Sequence, residues 1–219
     1  MYTFTNLLPV LLVCSVLALD TIEATRQDAL LAFQPLKVSA KGKQQRKLIA
    51  GGSELFTSLQ SKLILTQESY VKETIEKEAN IQGRLTPITD TKCAQLVVSG
   101  TDLLIKLTGL SYRNCVAKID DEMFEGLYPE QDNDSRQQYT KASLLSSLRD
   151  VNIFVEPLTI QSRIEEKLNN PIAIEGTVVT GELSEALKSA FEDCLTNART
   201  LMLQSLKDAS SQADTICAY

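Results

Sequence analysis

Cysteine is the residue type in this chain whose placement most suggests chemistry. The sequence has five cysteines: Cys14 near the start, and two widely spaced pairs, Cys93 with Cys115 and Cys194 with Cys217. A thiol can act as a nucleophile, bind a metal or form a disulfide, and the first two roles usually need a short C-x-x-C spacing or a neighbouring base. The two pairs are spaced 22 and 23 residues apart. We therefore expect structural disulfides and no thiol active site.

The chain contains no histidine. This removes the commonest general base and metal ligand, and with it Cys–His and Ser–His nucleophile pairs and zinc sites built on His. Asp120-Asp121 and Glu165-Glu166 are neighbouring carboxylates, but a catalytic carboxyl pair needs a pocket and a set separation. We predict that they lie on solvated helix faces. The prediction is a protein that is not an enzyme, with no cofactor and no metal.

One short motif predicts a covalent modification. Asn133-Asp134-Ser135 is an N-glycosylation sequon within a very polar stretch. A calcium loop is the competing interpretation of Asp132, Asn133 and Asp134, but the Gly and the terminal Glu of an EF-hand loop are missing. We therefore predict a glycan on Asn133.

The N-terminal residues predict secretion. Leu7–Leu19 is apolar apart from Ser15 and is too short to span a membrane comfortably. Residues 16–18 end in the small-x-small manner of a signal peptide, so we expect 1–18 to be removed together with Cys14. A buried N-terminal helix is the alternative, since the first six residues carry no Lys or Arg. Residues 19–219 then form a single extracellular domain whose four cysteines, an even number, predict two disulfides.

The charge balance limits the possible partners. A net charge of −6 disfavours nucleic acid, which needs a basic binding surface. No other segment predicts a membrane span. One basic stretch, Lys37–Lys47, is interpreted as a solvated loop, and a processing site or a contact with an anionic surface is the alternative.

Apolar residues recur with a helical period along nearly the whole chain. In the segment Ser53–Arg84 they trace one stripe until Pro87. The fold class is therefore all-α, an elongated bundle of about five or six helices. Residues 130–138 are expected to be a loop and 169–181 an extended connection. The predicted helices are a segment from Asp20 to Pro35, then Ser53–Arg84, Cys93–Leu127, Tyr139–Arg149, Ile160–Leu168 and a last helix through Leu187–Ile216.

The cysteine spacing constrains the disulfide connectivity. On a straight helix 22–23 residues span about 33–35 Å, whereas a disulfide needs Cα atoms about 5.5–6 Å apart. If each pair lies on one helix, the bonds must join the two helices. The antiparallel pairing is Cys93–Cys217 with Cys115–Cys194, and the parallel pairing is Cys93–Cys194 with Cys115–Cys217. Short connections favour the antiparallel pairing. Local bonds stay possible if the helix breaks at Gly109.

The antiparallel register also predicts which residues face inward. Gly100 would lie opposite Ala209, and Leu107 opposite Met202, so that small residues let the helices approach closely. The parallel register packs acceptably too, so packing does not choose between them. The face predicted to meet the last helix comprises Cys93, Val97, Gly100, Leu104, Leu107, Ser111 and Cys115.

An apolar helix within each of the two cysteine pairs, Cys93 to Cys115 and Cys194 to Cys217, resembles secreted insect proteins with a TsetseEP-type domain. The Glu-Pro repeat tail that names those proteins is absent here, where only Glu156-Pro157 occurs. The resemblance covers roughly Cys93–Cys217. It implies a secreted insect protein with no established catalytic activity.

These observations together predict a secreted, non-catalytic helical protein that binds or interacts with an extracellular partner. The alternative function is a carrier of lipid or a small apolar ligand within the bundle, because amphipathic helices can enclose such a ligand. The expected partner is accordingly an extracellular protein or a small apolar ligand, with no nucleic acid and no membrane span.

Overall fold

The computed structural model describes residues 26–42, 52–85, 91–128, 132–172, 174 and 179–217, and these residues contain helices and no strand. This confirms the all-α prediction. Short 3₁₀-helices cover Ala29–Phe33 and Leu145–Ser147. The six α-helices are α1 (Gln34–Gly42), α2 (Gly52–Leu85), α3 (Thr91–Leu127), α4 (Asn133–Ala142), α5 (Pro157–Asn169) and α6 (Gly181–Ile216).

Three long helices, α2, α3 and α6, build the body of the bundle. They have 34, 37 and 36 residues, which at 1.5 Å per residue makes each about 50–55 Å long. Their apolar stripes face one another, and the most extensive contact in the molecule joins α3 to α6. The buried side chains of these stripes include Phe56, Leu63 and Ile75 of α2, Ile105, Tyr112 and Ile119 of α3, and Phe191, Leu195 and Met202 of α6.

The short elements pack over one part of this body. The 3₁₀-helix Ala29–Phe33 lies against α5, where Phe33, Ile160 and Ile164 are fully buried. The second 3₁₀-helix contacts α3 and contributes the buried Leu145. The short elements therefore add further buried residues to the core on one part of the three-helix body.

The predicted stop at Pro35 is wrong, because α1 runs through this residue. Pro35 occupies the first turn of a helix, where its missing N–H leaves no hydrogen bond unmade and its fixed φ suits the helix. Lys37 to Gly42 is consequently helical, although it was expected to begin a basic loop. The remainder of that stretch, residues 43–47, lies outside the described residues, as does the predicted signal peptide, 1–18.

The expected loop over residues 130–138 and the helix Tyr139–Arg149 are also wrong. Asp132 caps α4 through a 2.7 Å hydrogen bond from the Ser135 N–H, so the helix begins at Asn133. It ends at Ala142, and a 3₁₀ turn with buried residues follows. An N-cap inside a run of polar residues was the missed signal. The long helices and α5 confirm their predictions to within a few residues.

Candidate functional site

The four cysteines outside the predicted signal peptide form two disulfides between α3 and α6. Cys93 is bonded to Cys217 and Cys115 to Cys194, with Cα–Cα distances of 5.6 and 5.7 Å. This is the favoured antiparallel pairing. Local bonds do not occur because α3 continues through Gly109 without a break. Paired thiols are not free nucleophiles or metal ligands, and the disulfides indicate an oxidising compartment.

Asn133, the predicted glycosylation site, is the first residue of α4 and is exposed. The hydroxyl of Ser135, the third residue of the sequon, donates to the Asp132 carboxylate at 3.1 Å. The same carboxylate accepts the Ser135 N–H, which lowers the pKa of Asp132. Asp132 therefore acts as a helix cap. The sequon is on the surface of the folded protein, on a helix and not in a loop.

A buried polar cluster centred on Asp120 joins α2, α3 and α4. The prediction that Asp120 lies on a solvated helix face is therefore wrong, because only 1% of this residue is exposed. The Asp120 side chain accepts hydrogen bonds from Tyr139 at 2.8 Å and Ser143 at 2.7 Å, and Arg149 lies 3.4 Å from its second oxygen. Burial, followed by the Asp120 charge, raises the pKa of Tyr139 well above its usual value. Gln60 extends the cluster by donating to Ser143 at 3.0 Å and accepting the Leu144 N–H at 2.7 Å.

A second buried cluster lies farther toward the N-terminus of α3. Arg26 donates to Glu78 at 2.9 Å and to the Phe154 carbonyl at 3.0 Å, and it also pairs with Asp102. Desolvation raises the pKa of Glu78, and its attraction to Arg26 opposes that shift. Asp102 pairs in addition with Lys106 at 2.7 Å. The cluster ties the beginning of the described chain to α2, α3 and the loop before α5.

Both clusters have the geometry of structural supports. Asp120 and Arg26 are bonded to other side chains or to backbone and are almost fully buried. Such side chains hold helices together and are not presented to a substrate. Among the residues that the structure describes, no three His, Cys, Asp or Glu side chains are grouped to hold a metal.

An open cavity of about 430 Å³ lies between the end of α4 and α5. Lys167 fills one side of it by donating to the carbonyls of Thr140 and Ser143, each at 2.7 Å, which caps the C-terminal end of α4. Burial lowers the pKa of Lys167. The lining residues are all of polar or charged types, but the surface that they expose to the cavity is mainly carbon; they are Thr140, Ser146, Ser147, Arg149, Asp150, Arg163 and Lys167.

The feature of the surface that structural needs do not explain is a row of leucines along α3. Leu96, Leu103 and Leu107 are 68%, 57% and 48% exposed, and Leu110 is half-buried. Leu96, Leu103 and Leu110 recur every seven residues, and Leu107 follows Leu103 by four. These are the a and d positions of a heptad. We call these four residues the leucine seam.

The exposure of the seam shows that the predicted inward face of α3 is partly wrong. Gly100 and Leu107 were expected to meet α6, but both are exposed, and a methyl group at Gly100 would meet nothing within 4 Å. The residues that do turn toward α6 are Cys93, Cys115 and the partly buried Leu104. The sequence contained the signal, since three leucines seven residues apart mark a second stripe on the side away from the first.

The charged residues that flank the seam are basic. In the heptad that places Leu103 at d and Leu107 at a, Lys106 and Arg113 occupy g, the position that borders the seam on one side. The corresponding e positions on the other side are Val97, Leu104 and Ser111, all partly buried, and Val97 and Leu104 pack against the core. The seam is therefore narrow, with one edge closed by the bundle and the other bordered by positive charge.

By length and composition alone, Lys92–Leu127 could cross a membrane. The disulfides oppose this, because they tie α3 along its length to α6, whose exposed face includes Lys207, Asp208 and Asp214. Charged side chains of this kind are costly in a bilayer interior. The apolar character of α3 is thus divided between its contacts within the bundle and the leucine seam.

Comparison of the chain with protein-family models, curated protein sequences and solved structures finds no match. The insect-family resemblance and the function it implies therefore enter only as part of a proposal.

Proposed function

We propose that this chain is a secreted, non-catalytic protein of insect extracellular fluid that binds another macromolecule through the leucine seam of α3. The exposure of Leu96, Leu103 and Leu107 is the observation that carries the proposal. A soluble domain gains free energy by burying leucine, and contiguous exposed apolar residues commonly mark interaction sites. The seam lies on a helix that two disulfides hold in place, so its leucines are preorganised for a partner.

The internal chemistry supports a role without catalysis. The buried carboxylate of Asp120 is engaged by Tyr139, Ser143 and Arg149. Arg26 is engaged by two carboxylates and a carbonyl. A catalytic acid or base needs access to a substrate, and these groups are turned toward one another within the core.

Secretion is supported by the two disulfides and by the signal-like residues 1–18. Glycosylation is supported by the surface position of Asn133. We propose one N-linked glycan, on Asn133, in the natively secreted protein. Digestion with an N-glycosidase should lower the mass by one glycan and convert Asn133 to Asp, and Asn133→Gln should remove the shift.

The alternative function, a carrier of lipid or a small apolar ligand inside the bundle, receives less support. The 430 Å³ cavity is bordered by hydrogen-bonding and charged side chains such as Arg163 and Lys167. The surface that they expose is mainly carbon, but the cavity is open to solvent and is not enclosed within the bundle, so an apolar ligand placed there would stay partly hydrated. Solvent extraction of the native protein followed by mass spectrometry tests this alternative directly.

The binding proposal is tested with a seam variant as bait. The disulfide-bonded wild-type protein and Leu103→Gln/Leu107→Gln would be immobilised and exposed to insect extracellular fluid. We expect a partner that the wild type retains and the double variant loses. Leu55→Gln is the matched control, because Leu55 is 60% exposed but lies at the N-terminal end of α2, away from the seam. Equal retention by all three proteins would overturn the proposal.

A further inference from the structure

The leucine seam defines the kind of partner that fits it. We infer that its occupant is an amphipathic α-helix of about four turns, with apolar residues at its a and d positions and Glu or Asp along its edges. This inference rests on the proposed function, because it names the partner of the same surface.

The width and spacing of the seam favour a helix. Leu96, Leu103 and Leu110 at d, with Leu107 at a, keep a 3.5-residue period, which is the repeat that lets one helix place side chains between those of another. A helix that lies on a lipid surface usually presents a broader apolar face, whereas an a/d stripe is the narrow contact of paired helices. From Leu96 to Leu110 the seam spans 14 residue steps, or about 21 Å along the axis, which sets the length of the partner.

The surface also provides a place for a partner's larger side chain. Gly100 occupies the a position between Leu96 and Leu103, and it has open space where a side chain would begin. A small residue between leucines leaves a recess, and side chains of a facing helix insert into such holes. The recess at Gly100 and the projecting leucines therefore alternate along the seam, as holes and side chains do in paired helices.

The charges next to the seam indicate which charge the edges of the partner helix should carry. Lys106 and Arg113 lie at g, and none of the e positions on the opposite side, Val97, Leu104 and Ser111, carries a charge. The Lys106 ammonium already contacts Asp102. The Arg113 guanidinium donates to the Asn114 side-chain oxygen at 3.4 Å and is attracted to the Asp150 carboxylate. An acidic residue on the partner would meet this basic edge favourably, since e and g charges set partner choice in coiled coils.

The same charges disfavour a second copy of this chain as the occupant. In an antiparallel pairing of two α3 helices about Leu103 and Leu107, g residues face g residues, and Lys106 would approach its own counterpart. Like charges at such positions oppose association. A partner with acidic edges avoids this repulsion.

The experiment uses two synthetic peptides of three heptads, both with Leu at a and d. One has Glu at e and g and the other has Lys. Binding to the disulfide-bonded protein would be measured by fluorescence anisotropy at neutral pH and low salt. We expect the Glu peptide to bind at least tenfold more tightly than the Lys peptide, and added salt to reduce the difference.

Variants connect the binding to the seam. Leu103→Gln/Leu107→Gln should weaken the Glu peptide at least tenfold and Arg113→Glu severalfold, whereas Leu55→Gln should leave it unchanged. Thermal melting by circular dichroism checks that each variant is folded, as is expected for exposed positions. Failure of both peptides to bind, or equal binding of both, would overturn the inference.

Two further outcomes would replace the helix with another occupant. A wild-type dimer in sedimentation that Leu103→Gln/Leu107→Gln converts to monomer would assign the seam to a second copy. Seam-dependent flotation with vesicles containing anionic lipid would assign it to a membrane surface. If the peptides fail while seam-dependent capture from extracellular fluid succeeds, the partner class is wrong and the proposed function stands. If both fail, neither stands.

Discussion

The two halves of α3 continue one helix but have opposite surroundings. In the C-terminal half, Tyr112, Val116, Ile119 and Met123 are fully buried. In the N-terminal half, apolar residues are as frequent, yet Leu96, Leu103 and Leu107 face solvent. Both halves contain enough apolar residues for an amphipathic helix. The number of elements packed around each half decides whether its leucines are buried or exposed.

The difference follows from where the short elements lie. The 3₁₀-helix Leu145–Ser147 contacts α3, and α4 reaches its C-terminal half through Tyr139 and Asp120. The N-terminal half has α6 on one side and Arg26, paired with Asp102, on another, whereas a third side, which carries Leu96, Leu103 and Leu107, is exposed in the described part of the chain. The leucines on that third side have no structural role in the described part of the chain, and this is why they are candidates for function.

The largest expected effect tests the packed half. Asp120→Ala should lower the free energy of unfolding by about 2–4 kcal/mol, because it removes the buried carboxylate that Tyr139 and Ser143 share, although Tyr139 keeps the Asp120 carbonyl and Arg149 keeps Asp121. Urea unfolding followed by circular dichroism measures the change.

Asp102→Ala is the matched control in the other half. Asp102 is partly exposed, and its partner Arg26 keeps Glu78 and the Phe154 carbonyl. We expect a loss of about 1–2 kcal/mol. Equal losses in the two variants would contradict the contrast between the halves.

The next largest effect is the loss of stability when one of the two disulfides is removed. Replacing Cys115 and Cys194 together by Ala, or Cys93 and Cys217 together, should cost about 2–4 kcal/mol in each case. The chain-entropy model differs by less than about 0.5 kcal/mol between closures of 79 and 124 residues.

The two disulfide variants should lose similar amounts of stability but differ in which amide hydrogens exchange faster. Without Cys93–Cys217, the N-terminal turns of α3 have few buried neighbours, so their amide hydrogens should exchange much faster. Without Cys115–Cys194, the buried Val116 and Leu195 still hold the helices together, and exchange near residue 115 should change little. Uniformly faster exchange in both variants would contradict this prediction.

Replacing either of two glycines of α3 by alanine should change the free energy of unfolding by a smaller amount, and the two changes should have opposite signs. A methyl group at Gly109 would overlap Oδ1 of Asn152 and would lie 2.8 Å from Cγ of Asn152 and 2.9 Å from Cδ2 of Phe154. Asn152 is held by its bonds to the Lys106 carbonyl and the Phe154 N–H, so it cannot simply move away. Gly109→Ala should therefore cost about 1–3 kcal/mol.

Gly100→Ala is the control for this change. Gly100 has open space around it, and replacing a helical glycine by alanine stabilises a helix by about 0.5–1 kcal/mol. Thermal melting of both variants should show shifts in opposite directions. A loss in both would mean that the exposed side of α3 is more crowded than the structure indicates.

These contrasts show how far sequence reasoning reached. Helical periodicity gave the long helices, and the 22- and 23-residue spacings required bonds between helices because a straight helix is too long for a local bridge. Sequence reasoning failed for two helix starts, which depend on local geometry, and for contacts between residues far apart in the chain. Pro35 and Asp132 begin helices where a stop and a loop were expected, and both outcomes depend on cap geometry.

The seam could be predicted in part. Its seven-residue spacing is visible in the sequence, but exposure is set by which elements pack over α3, and no residue of α3 encodes that. The same limit applies to Arg26 and Glu78, whose pairing joins residues 52 apart in the chain. Contacts at such separations depend on the assembled fold, so spacing alone could not indicate them.

The smallest effect tests the ion pairs that join α2 to α6 on either side of the boundary between the halves. Arg199 donates to Glu73 at 2.5 and 2.9 Å, and this bond lowers the pKa of Glu73. Both side chains are partly exposed, so Glu73→Gln should lower stability at pH 7 by at most about 1 kcal/mol. Asp214, which pairs with Arg84 beside the exposed half, is more exposed. Asp214→Asn should therefore change stability by less than about 0.5 kcal/mol.

The pH dependence gives this prediction a sign. A carboxyl whose pKa is lower in the folded than in the unfolded protein stabilises the fold above its unfolded pKa, and this contribution is lost as the pH falls through the folded value. The difference in stability between wild type and Glu73→Gln should therefore be present at pH 7 and shrink below about pH 4, close to the usual value of 4.5 for this group. Urea midpoints at pH 7 and pH 3 measure it. A difference that grows on acidification would show that Glu73 supports the α2–α6 contact by packing and not through its charge.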